Sequence, residues 1–209
     1  MPSELVYYTH PQSRGRIAHW MLEEVGQPYD TVWLPFGPEM KSADYRAINP
    51  MGKVPALRDG DAVVTEAAAI CAYLADRFPQ AGLAPEPGRR ERAAYLRWLF
   101  FAAGPLEQAT VAHALGWQVP EGRSGMVGFG SRDDTLAALE GLLLNSTWVC
   151  GERFSAADVY LGSSLGWGLM FGTIDRRPAF EAYVARAQAR PAAQRAHQIN
   201  EARIAATKA

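Results

Sequence analysis

Cysteine is almost absent from this chain. Cys71 and Cys150 are the only two, far apart and in no C-x-x-C spacing, which excludes a disulfide scaffold and a cysteine zinc site. An excess of either charge is lacking too. Lys and Arg total 21 against 22 Asp and Glu, a net charge of -1, so there is no bulk electrostatic reason to bind nucleic acid or an anionic membrane surface. No apolar run approaches the roughly 20 residues that cross a bilayer. The first residues lack a basic stretch followed by an apolar core, so no secretory signal is expected and a cytoplasmic location is. No internal repeat, low-complexity tract or G-x-x-x-x-G-K-[ST] pattern is present, and a nucleotide site is not expected. What remains is ordinary globular material: 209 residues, 48% hydrophobic and 21% charged. That composition argues against disorder and leaves room for one large domain or two small ones.

Periodicity divides the chain. Leu5-Val6-Tyr7-Tyr8 reads as a short buried strand. From Arg14 to Val25, Ile17, Trp20, Met21 and Val25 recur at helical spacing, and Gly26 stops the helix. Tyr29 to Leu34 reads as a second strand, and a short helical or irregular stretch follows. Asn49-Pro50-Met51-Gly52 forms a turn before the extended Val54 to Leu57, and Asp59-Gly60 signals a hairpin returning through Ala62-Val63-Val64. Glu66 to Phe78 is again helical. The order βαβ then ββα predicts a compact α/β domain over residues 1–78. Residues 79–88, with Pro85-Glu86-Pro87-Gly88, read as a linker. Strand signals vanish after it, and residues 89–209 are expected to be all-helical. The helical segments are 89–115, interrupted at Gly104-Pro105, then 131–145, 155–171 and 178–206. Residues 116–130, with five glycines and one proline, read as a loop or a broken helix end.

Two local features carry chemistry. Pro55 opens a strand, where it cannot donate to the ladder, so it belongs at an edge or in a cis turn. If Val54–Pro55 is cis, the Val54 amide and carbonyl face outward and can pair with an extended peptide as an added strand; the alternative is an edge proline without a ligand. Glu66-Ala67 opens the helix after the hairpin, and amides at a helix N-terminus attract carboxylates. Glu66 could equally serve only to stabilise that first turn.

Taken together, Tyr8 to Arg16, Trp20 to Gly26, Asn49 to Leu57, Glu66 to Leu74 and Phe154 to Tyr160 resemble the soluble glutathione S-transferase superfamily, in order and spacing over nearly the whole chain, and look like a bacterial-type, serine-type member. The resemblance implies a thioredoxin-like N-terminal domain that binds glutathione and an all-helical C-terminal domain that supplies the second-substrate pocket. It also implies a homodimer, glutathione as co-substrate and no metal. By the same resemblance the Val54 backbone, after which Pro55 stands, pairs with the cysteinyl part of glutathione. Glu66 and the Ala67 amide hold its γ-glutamyl end, and Lys41 and Lys53 contact its glycyl carboxylate. Many members carry serine where this chain has Ala67, so one hydrogen bond worth roughly 0.5–1.5 kcal/mol is missing.

The implied chemistry is activation of the glutathione thiol, whose ordinary pKa near 8.5 leaves only about 3% thiolate at neutral pH. A hydroxyl at a helix N-terminus lowers that pKa. Ser13 fits that role, or caps the helix. Tyr8 is the rival donor, or a core residue. Arg14 could stabilise the thiolate, or be a solvated first-turn charge. His10 could contact the thiol or merely end the strand. Phe100, Phe101, His113, Trp117 and Trp167 are candidate walls of an apolar second-substrate pocket, with the 116–130 loop as its rim; the alternative for each is plain core. Ser155-Ala156-Ala157-Asp158 has capping-box spacing, with Phe154 placed to staple onto Val159 or a neighbouring apolar residue, and Cys71 is expected to be inert core. The function expected is glutathione transfer to an electrophilic, mostly apolar small molecule. The alternatives are a glutathione-dependent peroxidase or isomerase, or a catalytically weak binding protein.

Overall fold

The structure, a computed structural model, describes residues 4–207. It divides into two compact units: residues up to Gly82 together with those from Arg190 onward, and Leu83–Ala189.

The first unit runs β1 (Leu5–Thr9), α1 (Gly15–Val25), β2 (Asp30–Trp33), α2 (Ala43–Ile48), β3 (Ala56–Asp59), β4 (Ala62–Thr65) and α3 (Ala67–Arg77). The sheet order is β2-β1-β3-β4, with β1 parallel to β2 and both β1–β3 and β3–β4 antiparallel. This is the βαβ-ββα thioredoxin-like arrangement. Alternation splits β1: Tyr7 and Thr9 are buried towards α1, where the Tyr7 hydroxyl donates to the Gly15 carbonyl, while Val6 and Tyr8 join Met40, Tyr45, Ala56 and Val54 on the other face. The α1 stripe buries Ile17, Ala18, Met21, Leu22 and Val25, and Gly26 ends the helix in the left-handed region at φ 68° with its amide on the Leu22 carbonyl.

A last helix, α9 (Pro191–Ala206), packs on α1 in this same unit. Arg190 grips Glu24 bidentately at 2.6 and 2.7 Å, and Arg195 reaches Glu23 at 2.8 Å. Between them His19 is fully buried. Tyr29 donates to Glu23 at 2.6 Å, so His19 Nε2 donates to the Tyr29 hydroxyl at 2.9 Å and Nδ1 accepts from Asn200 at 2.9 Å. Burial holds the imidazole below its ordinary pKa, which suits this neutral tautomer.

These helices correct the expectation of one helical segment over 178–206. It is two helices, broken at Pro191: proline cannot continue the backbone ladder, and it forces Arg190 to an extended ψ of 136°. The break lets α9 leave the helical domain, so the expected continuous domain over 89–209 gives up its last helix to the α/β unit.

The second unit contains α4 (Glu91–Phe101), α5 (Glu107–Ala114), α6 (Arg132–Leu143), α7 (Ala156–Phe171) and α8 (Pro178–Gln188). The interruption at Gly104-Pro105 is a single π-helical turn, Ala102–Leu106, joining α4 to α5; widening the ladder accommodates the amide that Pro105 lacks. Its core is α7, buried along most of its length. Asp158 is fully buried and accepts from the Val149 amide, the Ser155 amide and hydroxyl, and the Tyr183 hydroxyl at 2.8–2.9 Å. The capping box is therefore formed. Phe154 stacks edge-on against Trp148, with ring centroids 4.9 Å apart. Among the described residues no helix is long and apolar enough to cross a membrane.

Candidate active site

Register brings three chain segments to one end of the sheet. Tyr8 pairs with Ala56 and Ala56 with Thr65, so the end of β1, the start of β3 and the end of β4 lie side by side.

The Val54–Pro55 bond is cis. The turn before it is fixed by buried side chains. The Lys53 carbonyl accepts from Tyr45 Oη and Asn49 Nδ2, each at 2.7 Å, and Asn49 Oδ1 accepts from the Met51 amide at 3.1 Å. Burial pushes the Tyr45 hydroxyl up to about 12, keeping it a donor. Lys41 Nζ donates to the Met51 and Gly52 carbonyls at 3.0 and 2.7 Å, which uses two of its three N–H bonds. Lys53 is exposed beside it. No turn, loop or side-chain hydrogen bond occupies the Val54 amide or carbonyl among the described residues.

At the next segment Glu66 stands at the N-terminus of α3 with φ 67° and ψ 122°, the sole non-glycine with positive φ among the described residues. Holding a β-carbon there costs on the order of 1–3 kcal/mol, and such residues cluster at ligand clamps. The carboxylate is exposed, whereas Ala67 behind it is buried.

At the third segment the candidate thiol activators part company. Ser13 is half-buried; its hydroxyl donates to the His10 carbonyl at 2.7 Å and accepts from the Gly15 amide at 3.0 Å. It therefore satisfies an orphan donor of the first helical turn. Tyr8 lies in the apolar cluster with Met40, Tyr45 and Ala56. Arg14 occupies the position before α1 and is exposed. His10 stacks on Phe36, with ring centroids 3.8 Å apart.

Gly15, Asn49 and Tyr45 shape these segments, and the sequence analysis gave none of their side chains a role of its own. A β-carbon on Gly15 would collide with Thr9 Oγ1 and come within 2.9 Å of Ser13 Oγ and Tyr7 Oη; only glycine lets α1 start this close to β1. The signal for Asn49 was its place before the Pro50-Met51-Gly52 turn, where asparagine binds the backbone two residues on.

Described by itself, the helical unit holds two adjoining cavities of about 390 and 610 Å³ between the end of α5 and the start of α6. His113, Trp117 and Arg132 line the first; Trp117, Arg123 and Met126 line the second, and Phe129 lines both. Of the five aromatic and histidine candidates, only His113 and Trp117 stand in these walls. Phe100 is exposed on α4, Phe101 stacks edge-on with Trp98 at 5.1 Å, and Trp167 is half-buried in α7.

Neither cysteine is a poised nucleophile. Cys71 is fully buried with its thiol pushed up, and burial pushes Cys150 up to about 11. Among the described residues no cluster of three or more His, Cys, Asp or Glu side chains is placed to hold a metal ion.

Comparison with known proteins agrees with this geometry. Residues 14–77 match the glutathione S-transferase N-terminal domain and residues 129–191 the C-terminal domain. The chain is 35% identical to a maleylacetoacetate isomerase of Pseudomonas aeruginosa, over 79% of this chain and 80% of that one. It is 33% identical to a glutathione transferase of Methylococcus capsulatus, at a TM-score of 0.78 over 94% and 98% of the two chains. A sphingomonad glutathione S-transferase complexed with glutathione is 30% identical, at a TM-score of 0.75 over 94% and 98%. With both domain types present and a relative of this similarity spanning most of its length, the chain belongs to the soluble glutathione S-transferase superfamily.

Proposed function

We propose that this glutathione transferase holds glutathione across the shared end of β1, β3 and β4, lowers the pKa of its thiol, and delivers the thiolate to an electrophilic, mostly apolar small molecule. The observation that carries this reading is Glu66, held at φ 67° at the mouth of α3, near Val54, whose amide and carbonyl take no turn, loop or side-chain hydrogen bond among the described residues. Strain is retained where it aims a group at something. The Val54 amide and carbonyl, set by the cis Pro55, suit an added peptide strand and would take the cysteinyl unit. The Glu66 carboxylate suits the γ-glutamyl ammonium and the Ala67 amide its carboxylate. Lys53, with the remaining N–H of Lys41, suits the glycyl carboxylate. Ser13, Arg14 and Tyr8 would lie on the side of the thiol. Each unit of pKa depression favours the thiolate by about 1.4 kcal/mol.

The second substrate would enter the apolar walls of the helical unit, His113 and Trp117 first, with Phe100, Phe101 and Trp167 as further helix-borne candidates. The protein would work as a cytoplasmic homodimer.

The similarity to a maleylacetoacetate isomerase favours one second reading, a glutathione-dependent isomerase. There the thiolate would add reversibly to an activated double bond, allow rotation, and leave again. Calorimetric titration with glutathione, followed by turnover assays on an activated aryl halide, a hydroperoxide and maleylacetoacetate, separates the readings. Saturable binding with aryl halide turnover is expected. Exclusive turnover of maleylacetoacetate would make the isomerase the main activity, and binding without any turnover would make the protein a carrier. No binding would overturn all of them.

A further inference from the structure

His10 has a place in the sheet that neither Ser13 nor Tyr8 shares. Val6 and Tyr8 point to the face that carries Val54, while Tyr7 and Thr9 point towards α1. The side-chain period of two, carried one residue past the end of β1, would set His10 on the Val54 face. The antiparallel β1–β3 pair ends at Tyr8 and Ala56, so His10 and Val54 each stand two residues beyond the same end of that ladder.

The ring is held in one orientation. Phe36 stacks against it at 3.8 Å, and Nδ1 accepts the Gln12 amide at 3.1 Å. An acceptor at Nδ1 fixes the neutral tautomer that carries its proton on Nε2. Burial lowers the pKa of the ring, which keeps that tautomer at neutral pH. No group among the described residues takes a hydrogen bond from Nε2. The Ser13 proton, by contrast, is already given to the His10 carbonyl at 2.7 Å, and Tyr8 is packed within the apolar cluster.

We propose that His10 is a catalytic residue of this transferase, its Nε2–H donating to the sulfur of bound glutathione and stabilising the thiolate. This rests on the Val54 edge being the cysteinyl clamp. In the step the S–H bond breaks, water takes the proton, the electron pair stays on sulfur, and the Nε2–H bond remains intact throughout. His10 acts as a donor and not as a base.

The test follows the ultraviolet absorbance of the bound thiolate against pH, with calorimetric binding of glutathione and of S-methylglutathione, which has no thiol. His10→Phe keeps the stacking and removes the donor, and His10→Ala serves should the phenylalanine not fold. Either variant should raise the apparent thiol pKa by about one pH unit, a tenfold loss of thiolate ratio, while S-methylglutathione binds as before. His10→Gln, which restores an N–H near Nε2, should recover a large part of the shift. An unchanged thiol pKa in the phenylalanine or alanine variant overturns the proposal, most clearly if Ser13→Ala raises it instead. Failure of the unsubstituted protein to bind S-methylglutathione overturns the clamp itself, and His10 falls with it.

Discussion

The two compact units make their sites from different material. At the shared strand end of the α/β unit, the proposed recognising groups are mostly main chain: the Val54 amide and carbonyl, the Ala67 amide and the polarised mouth of α3. Side chains such as Asn49, Tyr45 and Lys41 prop that backbone from behind. In the helical unit the cavity walls are side chains, Trp117, Met126 and Phe129, carried by a glycine-rich segment and the helix ends beside it. A backbone site constrains few residue identities and serves one ligand. A side-chain site changes its ligand whenever its walls change. The first unit would thus fix the co-substrate and the second the choice of electrophile.

The largest effect should come from the residue on which the helical unit's packing depends. Asp158→Ala leaves the Val149 and Ser155 amides and the Tyr183 hydroxyl buried without their acceptor. The expected cost is about 3–5 kcal/mol of unfolding free energy, read by denaturant titration. Glutathione affinity per folded molecule should stay within about twofold, because the proposed clamp belongs to the other unit. A large loss of affinity at an unchanged denaturation midpoint would break the contrast between the units.

Glu66→Gly tests the backbone site. Glycine removes a strain of about 1–3 kcal/mol at φ 67° and returns roughly 0.5–1 kcal/mol of it as chain entropy. The melting temperature should hold or rise. Losing a charge-assisted hydrogen bond should weaken glutathione binding by about tenfold or more. Stability and affinity moving in opposite directions would mark the strain as functional. If both fall, Glu66 is structural.

How much of this was legible beforehand follows the same division. Pro55 announces an edge or cis turn because its ring restricts the backbone, and Asp59-Gly60 announces the hairpin because glycine takes the positive φ that the turn needs. Ser155 and Asp158 announce the cap by spacing alone. Nothing in the chemistry of glutamate announces a positive φ at Glu66; that is imposed by β4 ending where α3 must begin. The break at Pro191 is visible in the sequence, but helical periodicity on both sides hid it. The docking of α9 depends on His19 meeting Asn200 across almost the whole chain, which no local pattern encodes. The cavity residues His113 and Trp117 could be suggested, but aromatic periodicity does not distinguish them from Phe101, which packs on Trp98.

Trp117→Ala addresses the side-chain site. The indole is largely exposed, at 66%, so its removal should leave stability nearly unchanged. Its contact area is available to an aryl electrophile. Losing about 1–2 kcal/mol of apolar contact should raise KM for such a substrate roughly 5- to 30-fold, with KM for glutathione unchanged. Equal increases in both constants would show that the two sites are not separable in this way.

The smallest change is Ala67→Ser. Ala67 is buried at the first position of α3, where its amide faces the proposed γ-glutamyl carboxylate. A serine hydroxyl there gains one hydrogen bond to that carboxylate, worth about 0.5–1.5 kcal/mol net, or roughly 2- to 10-fold in glutathione affinity. Without ligand the same hydroxyl loses water and gains no partner from the apolar helix behind it, so the free protein should be slightly less stable. The expected signature is a lower melting temperature alone and a larger rise on adding glutathione, seen in thermal melts across a glutathione series. An identical rise in the serine variant and the unsubstituted protein would mean that the backbone amide already satisfies the carboxylate. The alanine would then be no deficit, and the proposed site would be the more purely main-chain for it.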